Sequence, residues 1–460
     1  MQDGKNTSKV RKSVKSERFR DAAIISEISK IITNQRSGFR KFGTFKNNNL
    51  TVYHILSILI FLTAVFAYVN DRWIKWPPTI GVMVIALISS VLIAISGLLE
   101  PGITTGVLGV VSNINFGLVL MKIMLGFLLF AGALHIDAKK LRRQKWPVIV
   151  LATAGTFIST FVVSLMAFYL FRLFNLQIPY ICCLLFGALI SPTDPIAVMG
   201  ILKQAGIPKT LELKISGESL FNDGVGVVIF LTILEVAVSG TGTFSFGGTL
   251  MLFVKEAGGG LLFGTALGYL GYFVIRSIDN YRVEVLITLT MVMCGYTLAD
   301  YLHLSGPLAI IMAGIIFGTK AKEAGLSEIS RDYLVKFWDL IDEIFNAILF
   351  LLIGLEMLVI KVNPTIMLVG VFMIVLVLLA RYVSVSVPVL FLRLWIKFEK
   401  NAVLMLTWGG LRGGLSVAMA LSLPKTMHRD EFVLITYIIV VFSIIVQGLT
   451  IGKLARKSQV

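Results

Sequence analysis

Three carboxylates stand in or beside apolar runs within one stretch, Ser191 to Val228, which reads SPTDPIAVMGILKQAGIPKTLELKISGESLFNDGVGVV. They are Asp194, Glu218 and Asp223. A charge at bilayer depth is costly and seldom sits there without a task. On a helix, Ser219 and Asp223 are four apart and share a face, while Glu218 and Asn222 share the neighbouring one. Pro192 and Pro195 bracket Thr193 and Asp194. Each proline removes a donor and clashes with the preceding turn, so a helix must break here. Asp194 then reads as an N-cap and Pro195 as the first residue of a second half-helix. Broken backbone at membrane depth is tolerated only where it lines a cavity or a site. A hydroxyl, a carboxylate and freed carbonyls make a hard-oxygen set, the chemistry of a small bare cation. Gly217, Gly224 and Gly226 would let another helix come close. The bland alternative is that these polar groups only tie helices together; it suits Glu218 better than Asp223.

The rest of the chain must hold that stretch in a membrane. Of 460 residues, 56% are hydrophobic and only 15% charged, with mean hydropathy +0.86; soluble domains carry about 25% charged residues. A spanning helix needs about 20 apolar residues. Such segments fall at 51–69, 78–97, 117–135, 147–174, 179–201, 214–238, 250–275, 283–300, 304–319, 339–360, 365–394, 402–422 and 432–452. The chain is therefore expected to be an all-α polytopic membrane protein of about thirteen transmembrane helices. Its net charge of +16 lies in loops and the N-terminal tail, as membrane topology requires, which disfavours nucleic acid as a partner. Lys139 to Lys145, Lys203 to Lys214, Arg276 with Arg282, Lys320 to Lys336 and Arg393 to Lys400 mark alternate loops as cytoplasmic. Counting back from them puts the basic preamble 1–49 outside, against its own charge. Within it, an apolar stripe from Glu17 to Gln35 reads as a helix able to lie on anionic lipid. Cys182, Cys183 and Cys294 lie in apolar runs and suggest packing rather than a disulfide framework. Four scattered histidines show no ligand spacing. No cofactor is implied, and no metal beyond a transported cation.

Thirteen helices divide as six, a linker and six: 50–238, 250–275 and 283–452, with a short tail at 453–460. An odd linker inverts the second half relative to the first, the usual build of secondary transporters, whose sites lie where broken helices meet. The fifth helix of the first half carries SPTDP. The fifth of the second half carries Trp408-Gly409-Gly410-Leu411-Arg412-Gly413-Gly414, weakened by four glycines at the matching place. Two crossing discontinuous helices are expected. Arg412 at this depth needs a partner, and Glu218 is the best acid on offer for a structural ion pair. Arg381 and Glu356 are accessory candidates in other apolar runs. Glu235 and Asp300 fall near helix ends and are read as snorkelling. Asp342, Glu343 and Asn346, at the start of the tenth span, read as dipole complements or a cytoplasmic funnel.

SPTDP, then GESLFNDGVGVV, then TWGGLRGGLSVAMAL resemble, in order, the motifs of the NhaP branch of the monovalent cation:proton antiporters. The resemblance runs from about Ile55 to Gly452. It implies thirteen helices with the N-terminus outside, a homodimer, and a role in pH homeostasis in a bacterial inner membrane. It also implies that Ser219 and the backbone at Thr193 add oxygen ligands, and that Glu218 and Arg412 pair. One departure stands out. Where many NhaP-like chains have Phe-Glu-Gly-Gly, whose Glu contributes to the ion site, this chain has Phe130-Ala131-Gly132-Ala133, and Ala131 cannot coordinate an ion. The expected function is exchange of a monovalent cation, Na⁺ before K⁺ or Li⁺, for H⁺. Asp223 would bind cation or proton, Asp194 would polarise or cap the half-helix ends, and Asn222 would hold Asp223. With a single acid at the Asn222-Asp223 pair, the exchange is expected to move no net charge. The rivals are a K⁺/H⁺ antiporter, an ion channel or conductance regulator on the same scaffold, and an intramembrane hydrolase. A channel wants a continuous polar path; a hydrolase wants a nucleophile and base, and no Gly-x-Ser-x-Gly elbow is present.

Overall fold

In lipid, nothing but the chain itself can satisfy a backbone N–H or C=O, so long apolar runs must close their hydrogen bonds internally as helices. The computed structural model, which describes residues 52–99, 117, 119–194, 196–239, 246–323, 327–360 and 362–458, is helical throughout, with no strand among those residues. The basic preamble with its Glu17–Gln35 stripe lies outside the described residues, as does Pro195. Ile55–Val460 forms one compact unit.

The main helices are α1 (Val52–Val69), α2 (Pro78–Leu99), α3 (Val119–His135), α4 (Lys145–Leu173), α5a (Tyr180–Ile190) and α5b (Ile196–Gln204). They continue as α6 (Lys209–Ser239), α7 (Phe246–Arg276), α8 (Tyr281–Tyr301), α9 (Gly306–Glu323), α10 (Glu328–Glu356) and α11 (Pro364–Leu392). The last are α12a (Ala402–Trp408), α12b (Gly414–Ser422) and α13 (Arg429–Lys457). Each expected span has its helix. The largest boundary difference is α10, which starts at Glu328 rather than 339. Ser327 Oγ accepts from Ser330 N at 3.2 Å and starts the helix a full amphipathic segment before the apolar run. Ser330, Leu334 and Trp338 form its buried face, a pattern that a search for unbroken apolarity passes over. Trp338 Nε1 donates to Thr288 Oγ1 of α8 at 3.1 Å, and its ring lies 4.6 Å from Phe130 of α3.

Both predicted breaks are present, and they cross. The α5 chain is non-helical from Ser191 to Asp194, the α12 chain from Gly410 to Gly413. Asp194 N donates to the carbonyl of Leu411 at 2.9 Å, joining one interruption to the other. Such an approach leaves no room for side chains. A Cβ on Gly413 would stand 2.5 Å from Asp194 Oδ2 and 2.6 Å from its Cβ. One on Gly226 of α6 would run into the ring of Pro192. Gly413→Ala is therefore expected to force the two breaks apart. The predicted cost is about 1–3 kcal/mol, the usual scale of overpacking, read as a lower melting temperature of the purified protein together with reduced transport. A variant that melts with the parent would mean that the crossing yields more easily than this geometry implies.

α13 is continuous but not uniform. Ser443–Gln447 is a π turn, a device that proteins favour near functional sites. Before it, Phe432 packs on Phe186 of α5a at 5.3 Å and on Phe171 of α4 at 6.1 Å. After it, Gly448 lies against Ile80 of α2 and Gly452 against Ile201 of α5b.

Candidate functional site

α6 passes beside the crossing and presents Glu218, Ser219, Asn222 and Asp223 to it. Thr193, in the α5 break, is fully buried and meets that helix by three contacts. Its N–H donates to Asn222 Oδ1 at 3.3 Å, its Oγ1 lies 3.2 Å from Ser219 Oγ, and it accepts from Asn222 Nδ2 at 2.8 Å. Asn222 Nδ2 also reaches Glu218 Oε1 at 3.4 Å. Asn222 therefore ties Thr193 to Glu218 instead of holding Asp223 as expected. Adjacent residues on a helix point about 100° apart, and the two side chains diverge.

The expected Glu218–Arg412 pair is replaced. Glu218 is held in a two-pronged bond by Arg381 of α11, Nη1 to Oε1 at 2.6 Å and Nη2 to Oε2 at 2.9 Å. Both side chains are buried. Arg381 Nη2 also donates to the Leu406 carbonyl of α12a at 3.2 Å. A Cβ on Gly410 would come 2.5 Å from Arg381 Nε, so that glycine makes space for the guanidinium. Arg412 serves the break itself. Its Nη1 donates to the carbonyls of Ser191 at 2.8 Å and Pro192 at 3.0 Å. Those carbonyls end α5a without a helical partner, where the dipole is negative and a cation is favoured. Glu218 is thus left to the other arginine, whose planar fork matches a carboxylate. In the sequence Arg381 carried the same signal as Arg412, a lone cation in an apolar run; only the fold, which brings Arg381 of α11 to Glu218 of α6, ranks them.

Asp194 carries its carboxylate against Gly413, next to the N-terminus of α12b, in keeping with the expected dipole role. Asp223 is half-buried, and the charges it feels are those of Asp194 and Glu218. No hydrogen bond or ion pair holds its carboxylate among the described residues. Glu356, the other accessory candidate, ends α10 beside Arg429 and Tyr437 and is not brought into this cluster. Ala131 is buried and supplies no oxygen. The α12 break is also braced from α13: Arg412 N donates to Ser443 Oγ at 3.2 Å, Ser443 Oγ to Gln447 Oε1, and Gln447 Nε2 to the Trp408 carbonyl at 3.1 Å. Lys214, fully buried near the N-terminal end of α6, pairs with Glu399 of the α11–α12 loop at 2.7 Å. Burial opposes the charge of Glu399, but hydrogen bonds from Lys214 and Thr210 hold its carboxyl below the usual carboxylate range.

Chemically, the cluster offers one carboxylate that no bond holds among the described residues, two hydroxyls and interrupted backbone, with the Glu218 charge neutralised by Arg381. It offers no nucleophile–base pair, and no group of three or more His, Cys, Asp or Glu able to hold a metal occurs among the described residues.

The family described as "Sodium/hydrogen exchanger, transmembrane" matches residues 59–457. The Na⁺/H⁺ antiporter NhaP of Pseudomonas aeruginosa is 47% identical over 88% of this chain and 96% of its own. The Na⁺/H⁺ antiporter NhaH of Halobacillus dabanensis is 35% identical over 87% and 96%. Among solved structures, the sodium proton antiporter MjNhaP1 from Methanocaldococcus jannaschii superposes with a TM-score of 0.69 at 22% identity, covering 88% of this chain and 97% of that one.

Proposed function

The chain belongs to the sodium/hydrogen exchanger family and is an integral membrane Na⁺/H⁺ antiporter, and we propose that it runs the exchange on one shared carboxylate, Asp223. The observation that carries this reading is the contrast among three acids. Glu218 is locked to Arg381 and Asp194 is set against the α12 break, while Asp223 has its charge and no fixed partner. Ser219, bonded to Thr193 in the α5 break, and the Thr193 backbone would add oxygen ligands, and Asp194 would polarise the half-helix ends.

Cation and proton compete for Asp223. Either one neutralises it, and a neutral site can be carried through a low-dielectric passage that the bare carboxylate cannot cross. The repeats 50–238 and 283–452, joined by 250–275, then rock about the crossing when the site is loaded. The protein works as a homodimer in a bacterial inner membrane, as the resemblance of its motifs to NhaP-type antiporters implies. With Ala131 in place of an acid, one Na⁺ exchanges for one H⁺.

The test is purified protein in proteoliposomes. Proton movement is expected only when Na⁺ is supplied, which excludes a channel, and more strongly for Na⁺ than for K⁺ or Li⁺. An imposed membrane potential is expected to leave the rate nearly unchanged. A steep voltage dependence would mean that a second titrating acid takes part and that the exchange moves charge.

A further inference from the structure

Between Tyr437 and Thr450, α13 is apolar except for Ser443 and Gln447. The two stand at the ends of its π turn, and both are buried. A buried hydroxyl or amide is costly unless its donors and acceptors are used. Here they run in one direction. The N–H of Arg412 donates to Ser443 Oγ at 3.2 Å, the Ser443 hydroxyl donates to Gln447 Oε1, and Gln447 Nε2 donates to the Trp408 carbonyl at 3.1 Å. That order fixes the amide, because the flipped form would set Oε1 against the Trp408 carbonyl. In an unbroken helix, Arg412 N–H would donate to the carbonyl of Trp408 itself, four residues earlier. Ser443 and Gln447 therefore stand inside one missing helical bond. One takes its donor, the other its acceptor, and a side chain inserted in this way is a recognised cause of a helix break.

The residues held by this insertion are the ones that touch the α5 break. The Leu411 carbonyl accepts from Asp194 N at 2.9 Å, and Arg412 Nη1 donates to the carbonyls of Ser191 and Pro192 at 2.8 and 3.0 Å. Those bonds flank Thr193 on both sides. The N–H of Asp194 and the C=O of Thr193 belong to one peptide, which is planar and trans, so they point in opposite directions. Tying the N–H to Leu411 aims the Thr193 carbonyl away from α12. Thr193 meanwhile turns its own N–H to Asn222 and its hydroxyl to Ser219, both on α6, the helix that carries Asp223. The direction of the Thr193 carbonyl is thus set from α13, by way of the α12 break.

We propose that Gln447 and Ser443 are positioning residues for the cation site: standing in the broken Arg412–Trp408 bond, they fix Leu411 and through it the Thr193 carbonyl that would ligate Na⁺. This role rests on the reading above, in which the Thr193 backbone is a ligand and Asp223 the titrating group. A carbonyl free to drift binds a cation less well, and by an amount that depends on the ion's radius, since a smaller ion needs closer oxygens. The proton binds Asp223 alone and does not use that carbonyl. Cation affinity and ion choice should therefore change while proton affinity stays.

Radioactive Na⁺ binding to purified protein, with Li⁺ as competitor, reads the site without transport. Gln447→Met keeps the length of the side chain and removes both ends of the amide. It is expected to weaken Na⁺ binding about tenfold, on the scale of one hydrogen bond, and to change the ratio of Na⁺ to Li⁺ affinity. In proteoliposomes the KM for Na⁺ should rise in step while the rate at saturating Na⁺ changes much less. The pH midpoint of proton competition, extrapolated to zero Na⁺, should stay at the parent value. Ser443→Ala should act in the same direction, and decides the matter if Gln447→Met protein does not fold. Ser443→Thr keeps the hydroxyl and should keep the parent affinities. Gln447→Met combined with Ser443→Ala should be no worse than the worse single variant. Unchanged affinities in the single variants overturn the positioning role. So does a lower melting temperature with Na⁺ and Li⁺ affinities falling in proportion, the mark of packing alone. A parent that shows no Na⁺-dependent exchange overturns the antiport reading instead, and the binding comparison still decides what Gln447 and Ser443 do.

Discussion

Asp223→Asn is expected to reduce Na⁺-driven proton flux to background while the protein folds and melts like the parent. The substitution keeps the shape and removes the charge and the titration together. Because no partner holds Asp223 among the described residues, its loss leaves no orphaned charge behind, and the fold has no reason to fail. In the parent the same carboxylate makes protons competitors of the cation. Below its titration midpoint, each further drop of one pH unit leaves about ten times fewer sites ionised and weakens apparent Na⁺ affinity about tenfold. Maximal rate at saturating Na⁺ should change much less over the same range. Asp223→Glu keeps a carboxylate on a longer stem and should retain some exchange with altered affinity. Na⁺-dependent flux from well-folded Asp223→Asn protein would falsify the shared-carboxylate mechanism and move the proton carrier to Asp194 or Glu218.

The second large effect belongs to Glu218 and Arg381, and it should appear in stability before activity. The pair is buried and two-pronged, with bonds of 2.6 and 2.9 Å. Taking away one member strands the other's charge in a medium that cannot solvate it, at a cost of roughly 3–5 kcal/mol. Glu218→Gln and Arg381→Met should each lower the melting temperature sharply. The double variant should recover much of the loss, because two neutral groups need no counter-charge. Glu218→Gln protein that melts like the parent yet transports nothing would instead make Glu218 a transport residue.

Much of the architecture was legible because the lipid environment restricts the chain so severely. Pro192 and Pro195 announced the α5 break by removing donors, and Gly409 to Gly414 announced its counterpart in α12 by weakening a helix at the matching position. Asp223 stood out as a carboxylate among apolar turns. What stayed hidden was pairing. Arg381 and Arg412 are both single cations in apolar helices, and nothing along the chain says that one will face a carboxylate of α6 and the other the loose carbonyls of α5a. Asn222 was misread for a related reason: neighbours in sequence point to different partners on a helix. The early start of α10 was missed because its first turns are amphipathic.

The π turn of α13 has a geometric consequence. One extra residue in a turn advances everything after it by about 100° around the helix axis. Phe432 and its neighbours face the α4–α5a side, whereas Gly448 and Gly452 face α2 and α5b; a single angular phase need not serve both surfaces. The change of phase falls at Ser443 and Gln447, the two residues that bond to the α12 interruption. In hydropathy α13 is one unbroken span. In phase it is two half-helices with a seam beside the crossing, so the α5 and α12 interruptions are met by a third helix that changes phase while its backbone stays helical. Shortening Ser443–Gln447 by one residue would leave a sound helix whose two halves could no longer both find their surfaces.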